Sequence, residues 1–147
     1  DEVPVVDVKL IDRVFVVPSA CKNREILYKK FAFGRFLFDE LVLSTYEVFF
    51  LKEVLNCVNI NFSNNDLWNF CCKISGENTF PMQYFVYRYY RVNMWVVRDG
   101  SVFGTEFVLY SDHQDVVHSS FLLSVMDSWD NIEKECMIKS RIGWTLA

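Results

Sequence analysis

The sequence predicts a mixed α/β chain of the α+β kind, with helices first, then an antiparallel meander, then a closing helix. Three observations predict it. Capped stretches with helical spacing fill the middle of the chain. Short β-branched and aromatic segments separated by turn residues follow them. Hydrophobic residues make up 52% of the 147, with 14 Phe, 7 Tyr and 4 Trp, which is ample apolar surface for a packed core. This length suits one ordinary domain or two small subdomains sharing a core.

Residues 1 to 38 mix β-branched runs such as Val14 to Val17 with a polar break from Pro18 to Arg24, and are expected to hold one or two strands and a short helix. From Ser44 the signal sharpens, because Ser44-Thr45-Tyr46-Glu47 matches a capping box with Leu43 and Val48 as its hydrophobic staple. Phe50, Leu51, Val54, Leu55 and Val58 continue at helical spacing, with Lys52, Glu53 and Asn56 turned to water. Ser63-Asn64-Asn65-Asp66 opens a second helix that runs through Trp68 and Phe70 to about Lys73. Gly76-Glu77-Asn78 reads as a linker, which sets the expected subdomains at 1–78 and 79–147. Pro81 suits the first turn of a third helix, whose buried stripe is expected to be Phe85, Val86, Tyr89 and Tyr90, with Arg88 and Arg91 on a neighbouring face.

Met94 to Val97 reads as a strand closed by the turn pair Asp99-Gly100, and Thr105 to Tyr110 as a second strand. A polar loop from Ser111 to Val117 then leads to a third strand, His118 to Met126, and Asp130 to Glu133 resembles another capping box. There is no internal repeat or low-complexity segment.

Composition narrows the function classes. A net charge of −4 means that whole-molecule electrostatics do not draw the chain to nucleic acid, so any such site is a local basic patch or a partner's contribution. Arg88, Arg91 and Arg98 are the candidates for that patch. The five cysteines form an odd set without a CxxC pair, which argues against a disulfide framework and a zinc ribbon and fits a reducing compartment; Cys71 and Cys72 read as buried, small apolar side chains. Apolar runs such as Phe31 to Phe38 are broken by Gly34 and Arg35, far short of the roughly 20 residues of a membrane span. With Asp1 first and no basic-then-apolar leader, the sequence reads as a trimmed one without a secretory signal.

The candidate chemistry lies in the meander. If its last two strands form a hairpin, Tyr110 and His118 sit at the same end of the sheet, where neighbouring strands are about 4.8 Å apart. A phenol of pKa about 10 is a poor base without a nearby cation, whereas an imidazole near about 6.5 can donate a proton at neutral pH, so the pair lacks only a cation. Asp112, His113, Asp115 and His118 also offer a metal reading, but their spacing matches no standard site and a solvated loop explains them equally well. A two-metal nuclease core would use Asp99 and Glu106, and it fails because Val108 stands where that motif needs lysine. The four tryptophans, Trp68, Trp95, Trp129 and Trp144, read as packing more readily than as stacking platforms.

These residues resemble the tRNA-splicing endonuclease subunits, most closely the Sen-type catalytic subunit assigned to the 5′ splice site. Leu43-Ser44-Thr45-Tyr46-Glu47-Val48-Phe49-Phe50-Leu51 is similar to the family's amino-terminal helix. Phe80 to Gly100 is similar to the segment Phe-Pro-x-x-Tyr-x-x-Tyr-x-x-x-Arg-x-x-Gly-Trp-Val-Val, with Met94 in place of the glycine before Trp95. Phe103 to Tyr110, followed after an interval by His118-Ser119-Ser120, resembles the nuclease signature, and the resemblance runs from about residue 40 to 147.

The resemblance implies a small mixed amino-terminal subdomain followed by a restriction-endonuclease-like tRNA-intron endonuclease domain with a mixed or antiparallel sheet, incomplete at its carboxyl end. It implies metal-independent, cofactor-free cleavage of pre-tRNA at an exon–intron junction, leaving a 2′,3′-cyclic phosphate and a 5′-OH. Tyr110 would be the general base, His118 the general acid, and a lysine the cation; that lysine would fall just after Ala147, since Arg141 occupies the place of the arginine seven residues ahead of it. Arg141 would bind RNA by a cation–π clamp on a flipped intron base. Lys139 is out of register for the cation. Implied partners are pre-tRNA and other endonuclease subunits in a hetero-oligomer, with neither membrane nor DNA, and the implied location is nuclear, with the cytoplasm as an alternative. Isolated, the chain is expected to be inactive. The competing reading is a structural paralogue that keeps the fold for assembly and contributes only Arg141 or an interface.

Overall fold

The computed structural model describes residues 2–118 and 121–125. The chain divides into two compact units, Asp1–Tyr84 and Phe85–Ala147. Helices and antiparallel sheets mix in the order the α/β reading expects, although the first unit is richer in strands than one or two.

In the first unit, β1 (Val6–Asp7) pairs in parallel with β6 (Val58–Asn59). A separate four-stranded antiparallel sheet has the order β2 (Lys9–Ile11), β3 (Val14–Val17), β5 (Glu40–Leu43), β4 (Arg35–Leu37). Two of its connections are two-residue turns in the left-handed region, Asp12-Arg13 at φ 47 and 70 and Phe38-Asp39 at φ 49 and 66. Such turns match the twist of the strands they join. Sequence reading misses β4 and β5 because neither turn carries the Asn-Gly or Asp-Gly pair that announces one. Helix α1 (Arg24–Lys29) secures the second turn, since buried Arg24 donates to the Asp39 carbonyl at 2.8 Å and lies over the Phe36 ring.

Helix α2 (Thr45–Glu53) starts at the expected capping box. Ser44 Oγ accepts the Glu47 amide at 3.1 Å, and Glu47 Oε1 accepts the Ser44 amide at 2.9 Å. The other Glu47 oxygen takes the Gly34 amide at 2.6 Å, which is how a carboxylate tolerates burial here. The helix stops earlier than its apolar spacing predicts. The Cys57 amide turns back to the Leu51 carbonyl at 3.0 Å with Asn56 at φ 49, so Leu55 is exposed and Val58 joins β6. Helix α3 (Asn64–Ser75) is capped by Ser63, whose Oγ accepts the Asp66 amide.

Helix α4 (Thr79–Val92) corrects the expected stripe by one residue. The buried positions are Phe80, Tyr84, Tyr87 and Arg91, whereas Phe85 is 72% and Tyr89 57% exposed. The 3.6-residue period was legible, but its register was not, because Arg91 counts as polar in any apolar pattern. Phe80 and Tyr84 complete an aromatic core with Tyr46, Phe49 and Trp68, ring centroids 5.0–5.8 Å apart for the Phe49–Tyr84 and Trp68–Tyr84 pairs. Trp68 is thus packing, as expected. Cys71 and Cys72 are buried free thiols, also as expected.

The second unit holds a three-stranded antiparallel meander, β7 (Val96–Asp99), β8 (Phe107–Tyr110) and β9 (Phe121–Leu123). β7 begins two residues later than expected because Met94, at φ 70, occupies the left-handed position that ends α4. Glycine takes that conformation at least cost, which accounts physically for the glycine in the resembling segment. The third strand also starts later than His118, which therefore lies ahead of β9. The helix expected from Asp130 to Glu133 lies outside the described residues. No helix among the described residues is long and apolar enough to cross a membrane.

Candidate active site

The hairpin of β8 and β9 sets the candidate site. β8 is the central strand, with Val96 opposite Tyr110 on one side and Leu109 opposite Phe121 on the other. Phe107, Val108 and Leu109 are buried, and half-buried Tyr110 ends the strand where the sheet opens into the loop. Exposed His118 stands just ahead of β9. The register puts Tyr110 at the end of β8 that opens into the connecting loop, and His118 lies in that loop, three residues ahead of the start of β9.

The opposite end of the sheet is closed tightly. A Cβ on Gly100 would come within 2.2 Å of Thr105 Oγ1 and 2.9 Å of the Phe107 backbone, so only glycine fits there. The Thr105 amide donates to the Gly100 carbonyl and the Gly100 amide to the Glu106 carbonyl, both at 3.1 Å. Asp99 takes the Ser101 amide at 3.2 Å and hydroxyl at 2.7 Å. With Val108 only 1% exposed between its neighbours, these groups fix the turn that sets the register of β8.

Arg91 is the residue sequence reasoning placed wrongly. It is 8% exposed, its Nε donates to Tyr87 Oη at 3.1 Å, Nη2 donates to the Val97 carbonyl at 3.3 Å, and its guanidinium lies over the Tyr87 ring. It therefore leaves the expected basic patch of Arg88, Arg91 and Arg98 and instead ties α4 to β7, the strand that pairs with β8. The signal that could have found it is the spacing of 80, 84, 87 and 91, which a polar residue inside an aromatic stripe completes.

Three residues of the metal reading, Asp112, His113 and Asp115, are engaged with one another. Asp112 Oδ1 accepts the His113 amide at 2.7 Å, and His113 Nδ1 accepts the Asp115 amide at 3.1 Å. His113 is buried, whereas Asp112 and Asp115 are exposed. Among the described residues, no group of three His, Cys, Asp or Glu side chains converges as a metal site would require. Trp95 packs edge-on against Phe121 at 5.6 Å. Arg141, Lys139, Trp129 and Trp144 lie outside the described residues.

Comparison with known proteins bears on the same region. Residues 80–143 match the family model for the tRNA intron endonuclease, catalytic C-terminal domain. The chain is 35% identical over 100 residues to the probable tRNA-splicing endonuclease subunit Sen2 of Oryza sativa subsp. japonica, covering 64% of this chain and 33% of that protein. It is 29% identical over 115 residues to subunit Sen2-2 of Arabidopsis thaliana, covering 71% and 46%, and 30% identical over 102 residues to subunit Sen2 of Rattus norvegicus, covering 66% and 22%. The chain thus spans between about a fifth and about half of the length of these relatives. Over residues 80–143 the chain is thus similar to the catalytic C-terminal domain of tRNA intron endonucleases, and over about two thirds of its length it is similar to Sen2-type tRNA-splicing endonuclease subunits.

Proposed function

We propose that this chain is part of an RNA endonuclease subunit that cuts pre-tRNA at the 5′ splice site. Tyr110 acts as the general base and takes the proton from the ribose 2′-OH at the junction. The 2′-oxygen attacks the adjacent phosphorus, and the bond from phosphorus to the 5′-oxygen breaks. His118 delivers a proton to that departing oxygen, leaving a 2′,3′-cyclic phosphate and a 5′-OH. The nucleophile is already held beside the phosphorus, so proximity supplies what a metal-activated water would otherwise provide. DNA has no 2′-OH and is not a substrate.

What supports this reading is the hairpin register, Leu109 opposite Phe121, because the loop that contains His118 leaves β8 at Tyr110. A lysine would stabilise the developing phosphorane charge, and Arg141 would stack on an intron base. The other subunits of the hetero-oligomer would supply the remaining RNA contacts, in the nucleus.

The test is junction cutting by the full-length protein in its assembled complex. Tyr110→Phe and His118→Ala should each lower cutting at one junction by about 10²–10⁴-fold, leave the other junction intact, and leave the reaction insensitive to EDTA. Normal cutting at both junctions by either variant would refute the assignment and favour the scaffold reading.

A further inference from the structure

The loop between Tyr110 and His118 is organised around one residue. His113 is 7% exposed, an unusual degree of burial for the middle of a polar hairpin loop. Its backbone amide donates to Asp112 Oδ1 at 2.7 Å. Its Nδ1 accepts the Asp115 amide at 3.1 Å. Its carbonyl accepts the Val116 amide at 2.9 Å and the Val117 amide at 3.2 Å. A single residue therefore holds the amides of Asp115, Val116 and Val117 in succession, and these are the residues immediately ahead of His118.

The hydrogen bond also fixes the tautomer. An amide hydrogen must meet a lone pair, so Nδ1 carries no hydrogen and the ring proton sits on Nε2. An Asp115 carboxylate oxygen lies 3.7 Å from the same Nδ1. That distance is too long for a hydrogen bond, and an ion pair there would need a proton where the amide already points. The amide contact therefore defines the arrangement.

We propose that His113 is a positioning residue for the cleavage reaction. It holds the backbone that leads into His118, so that the imidazole of His118 stands at the departing 5′-oxygen while Tyr110 stands at the 2′-OH. Resting on the proposed nuclease function, this assigns to His113 an orienting role and no contact with substrate. Asp112, Asp115 and Val116 are themselves exposed, and a displacement of about 1 Å in a catalytic group costs about a hundredfold in rate.

The experiment compares His113→Ala, His113→Asn and His118→Ala in the full-length protein within its assembled complex. His113→Ala should lower kcat at the 5′ junction by about ten- to a hundredfold and change KM by less than about twofold. His113→Asn places an amide oxygen near the position of Nδ1 and should recover most of the rate. A pre-tRNA whose junction 5′-oxygen is replaced by sulfur separates positioning from general damage, because a thiolate departs without a proton donor. On that substrate the His113→Ala deficit should nearly vanish.

Wild-type kcat in His113→Ala, or a deficit undiminished on the sulfur substrate, would overturn the proposal. If His118→Ala abolishes the cut while His113→Ala leaves it untouched, only the positioning role falls; if His118→Ala cuts normally, the nuclease assignment itself falls. Should His113→Ala fail to assemble, amide hydrogen exchange in the wild-type complex decides. Slow exchange at Asp115, Val116 and Val117 supports the role, and exchange at the rate of an unprotected loop refutes it.

Discussion

The two units stabilise themselves differently. In the first, aromatic side chains from distant parts of the sequence stack into one core, with Phe49 meeting Trp68 at 5.1 Å and Trp68 meeting Phe80 at 5.2 Å. In the second, the residues of interest lie in and beside the loop at the end of a short meander, and that loop carries short-span hydrogen bonds from Asp112 to Val117. The contrast shows how one chain can separate stability from chemistry. Stacked apolar area makes a unit rigid but offers no proton to move, whereas a loop end exposes titratable groups that must be ordered locally.

This contrast can be broken most forcefully in the aromatic core. Phe80 is fully buried against Tyr46, Phe49, Trp68 and Tyr84. Phe80→Ala should cost about 3–5 kcal/mol in denaturant-induced unfolding. A loss below about 1 kcal/mol would mean that the core is not packed around this ring.

A smaller effect is expected at Arg91. Arg91→Met keeps the length of the side chain but leaves the Tyr87 hydroxyl and the Val97 carbonyl without its donors, a cost of about 1–3 kcal/mol by the same measurement. An unchanged or raised unfolding midpoint would show that the guanidinium does not tie α4 to β7.

A pH-dependent effect concerns the thiols of the first unit. Burial pushes Cys57 up to about 11 and Cys71 up to about 12 from an ordinary 9.0, with the neighbouring Cys72 adding to the rise at Cys71. Because the folded values lie above the unfolded ones, this contribution is fully present below about pH 9 and is lost as pH rises toward about 11–12. The Cys57→Ala and Cys71→Ala double variant should therefore lose less stability than the wild type between about pH 8 and about pH 11. Equal losses would place these thiols in contact with water.

Local signals were legible wherever the interaction itself is local. Ser44 and Glu47 are three residues apart and satisfy each other's amides whatever the rest of the chain does, so the start of α2 was readable, as was the Ser63 cap of α3. The order of the meander followed from its turn residues. The apolar pattern alone puts the stripe of α4 one position off and the end of α2 too late. In both cases a distant partner decides: the Val97 carbonyl that receives Arg91, and the Val6 backbone that pairs with Val58. The candidate pair, Tyr110 and His118, came from an interval in the sequence. Nothing in the spacing of His113 marked it as the centre of its loop.

The sequence by itself determined the helix caps of α2 and α3, the order of the meander, and which loop carries a phenol ahead of it and an imidazole near its far end. These depend on neighbours a few residues apart, whose proximity the covalent chain guarantees. Tertiary structure alone decided that Arg91 is buried and Phe85 exposed, that His113 turns inward while Asp112 and Asp115 face water, and that Val58 leaves its helix for a strand. Burial is a property of what lies opposite a residue, and no pattern along one segment contains the surface it will meet.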